Sequence, residues 1–139
     1  MYKKILLASD GSEHSLRAAE HAIVLAKYTE GSIIEIVFVI DSERAKSDVL
    51  NNWNKVDLGD KRKERIKSVE QKVKEAKVLY EIKILHGEPG PMIVDYANKN
   101  NMDVVVIGSR GLNALQELVL GSVSHKVAKR ANCPVLIVK

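Results

Sequence analysis

The chain has 139 residues, 45% apolar and 29% charged, a balance that suits one soluble domain, spanning 1–139, that buries roughly two thirds of its unfolded surface. No apolar run approaches the ~20 residues that cross a bilayer, and Met1-Tyr2-Lys3-Lys4 meets Ser9-Asp10-Gly11 too soon for a signal peptide, so a cytoplasmic chain without membrane contact is expected. The formal net charge of +4 is matched by one segment, Asp60 to Lys77, with eight Lys or Arg against four Asp or Glu; apolar residues recur there at helical spacing and no aromatics interleave, which marks a solvated helix face and excludes a nucleic-acid surface.

In chain order, Ile5 to Ala8 reads as a strand that ends at Ser9-Asp10-Gly11. Ser12 then opens a helix to about Thr29, striped by Leu16, Ala19, Ile23 and Ala26. The β-branched run Ile33 to Ile40 is a second strand. Ser42 to Gly59 is polar and carries Asn51-Asn52 and Gly59, so it reads as a long loop with room for one helical turn. Within the charged helix that follows, Ile66, Val69, Val73 and Ala76 form the apolar side. Tyr80 to Leu85 is a third strand; Glu81 and Lys83 alternate with Ile82 and Ile84, which suits a sheet edge. Pro89-Gly90-Pro91 starts a third helix that Asn100-Asn101 ends, and Asp103 introduces the strand Val104 to Ile107. Ser122 starts a fourth helix, with Val123, Val127 and Ala131 on one side, stopped by Asn132 and Pro134 before the last strand, Val135 to Val138. Cys133 is the single cysteine; it has no internal disulfide partner, and its place after a helix C-terminus opposes thiolate formation.

Alternating strands and helices predict an α/β fold, an open parallel sheet of five strands with helices on both faces and right-handed crossovers. Both distinctive loops, Ala8 to Gly11 and Gly108 to Gly111, follow a strand, so both lie at the carboxyl end of the sheet, where open α/β sheets bind ligands.

The second loop carries the chemistry. Gly108-Ser-Arg-Gly111 is followed by nine residues and then Gly121-Ser122-Val123-Ser124 at a helix start. Glycines after a strand let backbone N–H groups face a ligand, and a helix start adds hydroxyls and a positive dipole end, so the pattern is a phosphate cradle. It is neither Walker A nor the dinucleotide Gly-x-Gly-x-x-Gly pattern. The spacing Gly-x2-Gly-x9-Gly-Ser, with Lys3-Lys4-Ile5-Leu6-Leu7 ending in Asp10, Val37-Phe38-Val39-Ile40-Asp41 and Pro134-Val135-Leu136-Ile137-Val138, resembles the ATP-binding branch of the universal stress protein family over nearly the whole chain.

That resemblance implies the strand order 3-2-1-4-5, as in adenine nucleotide alpha-hydrolase-like folds, and ATP as ligand. Asp10 would contact the nucleotide, usually its ribose, with Ala8 and Ser9 as the adjoining wall; capping of the first helix is the other role open to Asp10. The backbone at Val39 would meet adenine, with Ile107 adding apolar contact. Gly108, Gly111 and Gly121 would leave room for phosphate oxygens, approached by the Ser122 and Ser124 hydroxyls and the Val123 N–H. Arg110 has phosphate or solvent open to it. With neutral donors dominating, a divalent cation, Mg or Mn, would accompany the phosphates. A homodimer through 135–138 is implied as well, because that apolar run would sit at a sheet edge.

No catalytic residue and no metal ligand can be assigned. His14 and His21 stand seven apart and read as surface residues, His86 lies in a loop, and His125 is the one histidine near the phosphate end. The expected function is thus an ATP-dependent regulatory or stress-response module with an unidentified downstream partner; the alternative is a slow ATP hydrolase using the same site. The turn Ser9-Asp10-Gly11-Ser12-Glu13-His14 matches neither His-x-Gly-His nor Ser-Gly-Gly-x-Asp-Ser, and Leu85-His86-Gly87 lacks the Asp of a receiver domain.

Overall fold

A computed structural model describes residues 1–41, 55–110 and 121–139. Strands β1 (Lys4–Ala8), β2 (Ile33–Ile40), β3 (Leu79–His86), β4 (Val104–Gly108) and β5 (Val135–Val138) alternate with helices α1 (Glu13–Tyr28), α2 (Lys55–Glu75), α3 (Pro89–Lys99) and α4 (Ser122–Arg130). The strands form one sheet in the order β3-β2-β1-β4-β5, and every pairing is parallel. Because parallel strands must be joined by crossovers that carry helices to the faces, both sides of the sheet are covered. Ile5, Leu7, Ile34, Ile36, Phe38, Val104 and Val106 pack with α1 and α2. Leu6, Ala8, Val37, Val105 and Ile107 pack with α3 and α4.

The helix signals act as the sequence implies. Ser12 is the N-cap of α1 and its Oγ accepts from the Ser15 N–H at 3.2 Å. In α2, Val69 and Val73 are fully buried, with Ile66 and Ala76 beside them. Pro89 and Pro91 flank the first turn of α3, where a missing N–H costs nothing, and Asn100 closes it. Strand ends at β1, β3 and β4 differ by one residue, and one helix start differs by more: α2 begins at Lys55 and runs through Gly59, which the sequence assigns to a loop. A single helical glycine costs only about 1 kcal/mol relative to alanine and does not stop a helix of 21 residues. The remainder of that expected loop, 42–54, lies outside the described residues.

The amino end of the sheet is clamped by Asp103, whose Oδ2 accepts from the N–H groups of Lys3 (3.0 Å) and Lys4 (2.9 Å), while its own N–H donates to the Lys4 carbonyl at 2.8 Å. Lys4 Nζ donates to the Asn100 carbonyl. On β2, Glu35 is buried at 8% exposure and accepts from the Tyr96 hydroxyl of α3 at 2.6 Å. Burial first, and then the Glu35 carboxylate, push the Tyr96 hydroxyl above its ordinary value. The edge strand β3 exposes Leu79, Glu81, Ile84 and His86.

Candidate functional site

Unequal strand ends make a crevice. Ala8, the last residue of β1, lies opposite Val37 and Ile107, whereas β2 continues three residues further to Ile40 beside His86. At about 3.3 Å per residue the end of β2 rises roughly 10 Å above that of β1, so β1 forms the floor and β2 one wall. Ser9 N–H still donates to the Val37 carbonyl at 3.0 Å, and the chain then turns at Asp10-Gly11 into α1. The opposite wall is the turn after β4. This is the switch point of the sheet, where chain connections leave β1 and β4 toward opposite faces.

On the floor, Asp10 is exposed, and its Oδ1 accepts from the Ser12 N–H at 2.9 Å. The cap of α1 is therefore Ser12, with Asp10 bracing it from one step back. Gly11 has φ +80°, a conformation side chains rarely adopt, and an added Cβ would collide with the stem of Arg65, which α2 lays across the turn. On the wall of β2, Val39 is half-buried opposite Leu85.

The turn after β4 is fastened by Ser109. Its N–H donates to the Val138 carbonyl at 2.7 Å, and its carbonyl accepts from Gly121 N–H at 2.8 Å and from Ser124 Oγ at 2.9 Å. These bonds bring the start of α4 to the mouth of β4. Gly121 is the N-cap and provides no side-chain cap, and no acidic residue occupies the first turn. The Ser122 and Val123 N–H groups, with no backbone acceptor among the described residues, belong to a helix start, the kind of site that receives anions, with the Ser122 hydroxyl beside them. Ser124 is different: at 2% exposure its hydroxyl is engaged with Ser109 and Gly121. It holds the cradle together instead of offering a donor.

The two described glycines of the motif also divide their work. The space beside Gly108 is filled by α1, since an added Cβ would lie 2.8 Å from His14 Cβ and 3.0 Å from the His14 carbonyl carbon. Gly108 is small so that helix and strand can touch, and the room expected there for a phosphate oxygen is taken by protein. At Gly121 an added Cβ would make only ordinary contacts, 3.4 Å to the Ser109 carbonyl oxygen and 3.5 Å to Arg110 Cα. Gly111 lies outside the described residues.

The structure thus gathers Ala8, Ser9, Asp10, Val39, Ile107, Gly108, Arg110, Gly121, Ser122, Val123 and Ser124 at one end of the sheet. It adds His14, which the sequence assigns to the surface. His14 is half-buried against Gly108, with Nδ1 3.0 Å from an Arg17 Nη2. Burial, followed by the charges of Arg17 and Arg110, holds the imidazole below its ordinary value of 6.5, while Asp10 and Glu13 pull the other way. Its position follows from topology, since a helix that leaves the end of β1 places its first turn on the crevice rim. His125 is exposed on the first turn of α4. Cys133 is half-buried, and burial pushes its thiol up, away from thiolate chemistry.

Known proteins share this sequence pattern and this fold. The profile of the universal stress protein family matches residues 1–139. The chain is 36% identical over 155 residues to universal stress protein YxiE of Bacillus subtilis, covering 100% of each. It superposes on the solved structure of protein MJ0577 of Methanocaldococcus jannaschii with a TM-score of 0.84 at 31% identity, covering 100% of this chain and 96% of that one. A universal stress protein from Archaeoglobus fulgidus, solved in complex with dAMP, shares the fold with a TM-score of 0.72 at 24% identity, covering 99% of this chain and 98% of that one. The matching profile, the full-length relative and the shared fold agree: this chain belongs to the universal stress protein family.

Proposed function

We propose that the crevice binds ATP and that the chain is a nucleotide-dependent regulatory module of the cytoplasm. The observation that carries this reading is the α4 start, pinned to the β4 turn through Ser109 with its first N–H groups uncapped. In this arrangement the Ser122 and Val123 N–H groups and the Ser122 hydroxyl meet phosphate oxygens. Arg110 supplies positive charge beside them, Asp10 meets the ribose, and the end of β2 at Val39 meets the base. The A. fulgidus protein, solved with dAMP, has the same fold, which supports an adenine nucleotide as the class of ligand. Among the described residues no three His, Cys, Asp or Glu gather as a metal cluster, so in this proposal Mg or Mn arrives with the phosphates that it neutralises. No helix among the described residues is long and apolar enough to cross a membrane.

Calorimetry with ATP, AMP and adenosine tests the reading. ATP with magnesium is expected to bind at least about tenfold more tightly than adenosine, because the open donors face phosphate, and each factor of ten corresponds to 1.4 kcal/mol. Equal affinities would remove the cradle from the account. Gly121→Val is expected to fold, since a Cβ there meets only ordinary contacts, and to lose ATP binding, since the added side chain fills ligand space at the helix start. Sustained hydrolysis faster than ~1 s⁻¹ would favour an enzyme instead, with His125 as the residue to replace.

A second copy of the chain belongs to the same proposal. The outer edge of β5 has no strand partner among the described residues, and Leu136 is 36% exposed there. Antiparallel pairing of β5 with its copy about a two-fold axis would satisfy its backbone groups and cover that side chain.

A further inference from the structure

His14 and Arg17 share one turn of α1 but reach separate parts of the molecule. His14 presses its Cβ and main chain against Gly108 at the mouth of β4. Arg17 donates from Nε to the Lys139 carbonyl just beyond β5 at 2.9 Å, and places Nη2 3.0 Å from His14 Nδ1. An arginine stays protonated and has no acceptor, so His14 Nδ1 must be the acceptor in this pair. A neutral imidazole carries one proton, which therefore resides on Nε2. Among the described residues, the charged groups around the ring are Glu13 and Arg17 on α1, Asp10 on the turn after β1, and Arg110 on the turn after β4.

Protonation changes this geometry. A proton on Nδ1 would face an arginine N–H, two donors with no acceptor between two positive charges, and the contact could not persist. A phosphate-bearing ligand in the crevice brings negative charge to the neighbourhood of Arg110 and favours the imidazolium. Resting on the ATP-binding reading, we infer that Arg17 fixes His14 as the Nε2–H imidazole in the empty chain, and that ATP converts it to imidazolium, so that binding takes up a proton from solvent and parts Arg17 from the ring. Arg17 is then a positioning residue, and nucleotide occupancy is linked both to pH and to the side chain that holds the end of the edge strand.

The test uses the full chain with ATP and magnesium. Nitrogen NMR of the imidazole in the free protein at pH 7.5 is expected to show Nε2 protonated and Nδ1 bare; the opposite tautomer would overturn the role given to Arg17. Titration of the same ring is expected to shift to higher pH when ATP is bound, and an identical titration with and without ATP would overturn the proton uptake. Calorimetry in two buffers of different ionisation enthalpy should report uptake of up to one proton by the wild type and its loss in His14→Gln, which keeps an acceptor for Arg17. Between the free and bound titration points, wild-type affinity falls by at most about tenfold per unit rise in pH, the limit for one linked proton, and this slope is missing in His14→Gln. Uptake that persists unchanged in His14→Gln refutes the assignment to this residue. Arg17→Met is expected to raise the His14 titration in the free chain, an effect that a merely structural arginine would not produce. If the wild type binds no ATP at all, the nucleotide reading fails and the linkage with it, while the tautomer measurement still decides the Arg17 to His14 arrangement.

Discussion

Gly108 and Gly121 stand in one motif, yet a methyl group added to each meets different neighbours. At Gly108 it is driven into His14, part of which is backbone that cannot step aside, so Gly108→Ala is expected to cost about 1–3 kcal/mol in urea unfolding, the usual range for overpacking. Gly121→Ala meets ordinary contacts, so its expected loss is at most about 1 kcal/mol, that of alanine at an N-cap. Asp10 has two jobs that one substitution separates. Asp10→Asn keeps an oxygen for the Ser12 N–H but removes the charge, so melting should be preserved while ATP affinity falls if the carboxylate meets the ribose. His14 adds a pH dependence to the empty chain. Its folded value is depressed below 6.5, so the unfolded state binds more protons once the pH drops under 6.5. The stability it contributes is fully present above that value and is lost as pH falls toward the folded value. A shallower acid limb in His14→Gln than in the wild type, followed by circular dichroism, is the expected result.

At the scale of elements, the sheet is secured at its amino end by a carboxylate and on its α3 face by the bond from half-buried Tyr96 to buried Glu35. Tyr96→Phe removes the hydroxyl that Glu35 accepts from at 8% exposure, and thermal unfolding is expected to show a loss of about 1–3 kcal/mol. Much of this architecture was legible in advance because its signals are local. The β-branched run Ile33–Ile40 and the closing run Val135–Val138 are strands with those bounds, and the proline pair at α3 and the serine at α4 mark real helix starts. Periodicity in α2 identified Val69 and Val73 as core, since the side of a helix that packs is written in its spacing. Gly59 misled because helix propensity weighs only about 1 kcal/mol against a whole helix. His14, the Arg65 stem over Gly11 and the Glu35 to Tyr96 pair could not be read, because each depends on contacts between distant elements. No spacing along the chain encodes a contact between Glu35 and Tyr96, 61 positions apart.

For the whole molecule, the sheet order leaves β3 and β5 at the edges, with opposite characters. The charges of β3 at Glu81 and Lys83 discourage another strand, while β5 carries none. Ile137 packs against the α4 side of the core, so Leu136 is the better position for a test: Leu136→Asp should fold and shift the particle from dimer to monomer in light scattering. A wild-type monomer at micromolar concentration would refute the pairing, and a dimer retained in the variant would move it to another surface. Ser109 has a wider consequence for how such molecules vary. Its N–H reaches the edge strand and its carbonyl gathers the start of α4, so φ and ψ of one residue are restrained from both sides. Yet the recurring pattern around it writes this position as a wildcard. The restraint falls on main-chain atoms that every residue except proline possesses, so selection can exchange the side chain while the joint persists. A pattern of letters records only what side chains must be, and a main-chain joint bonded on both sides, as Ser109 is, leaves no mark in it.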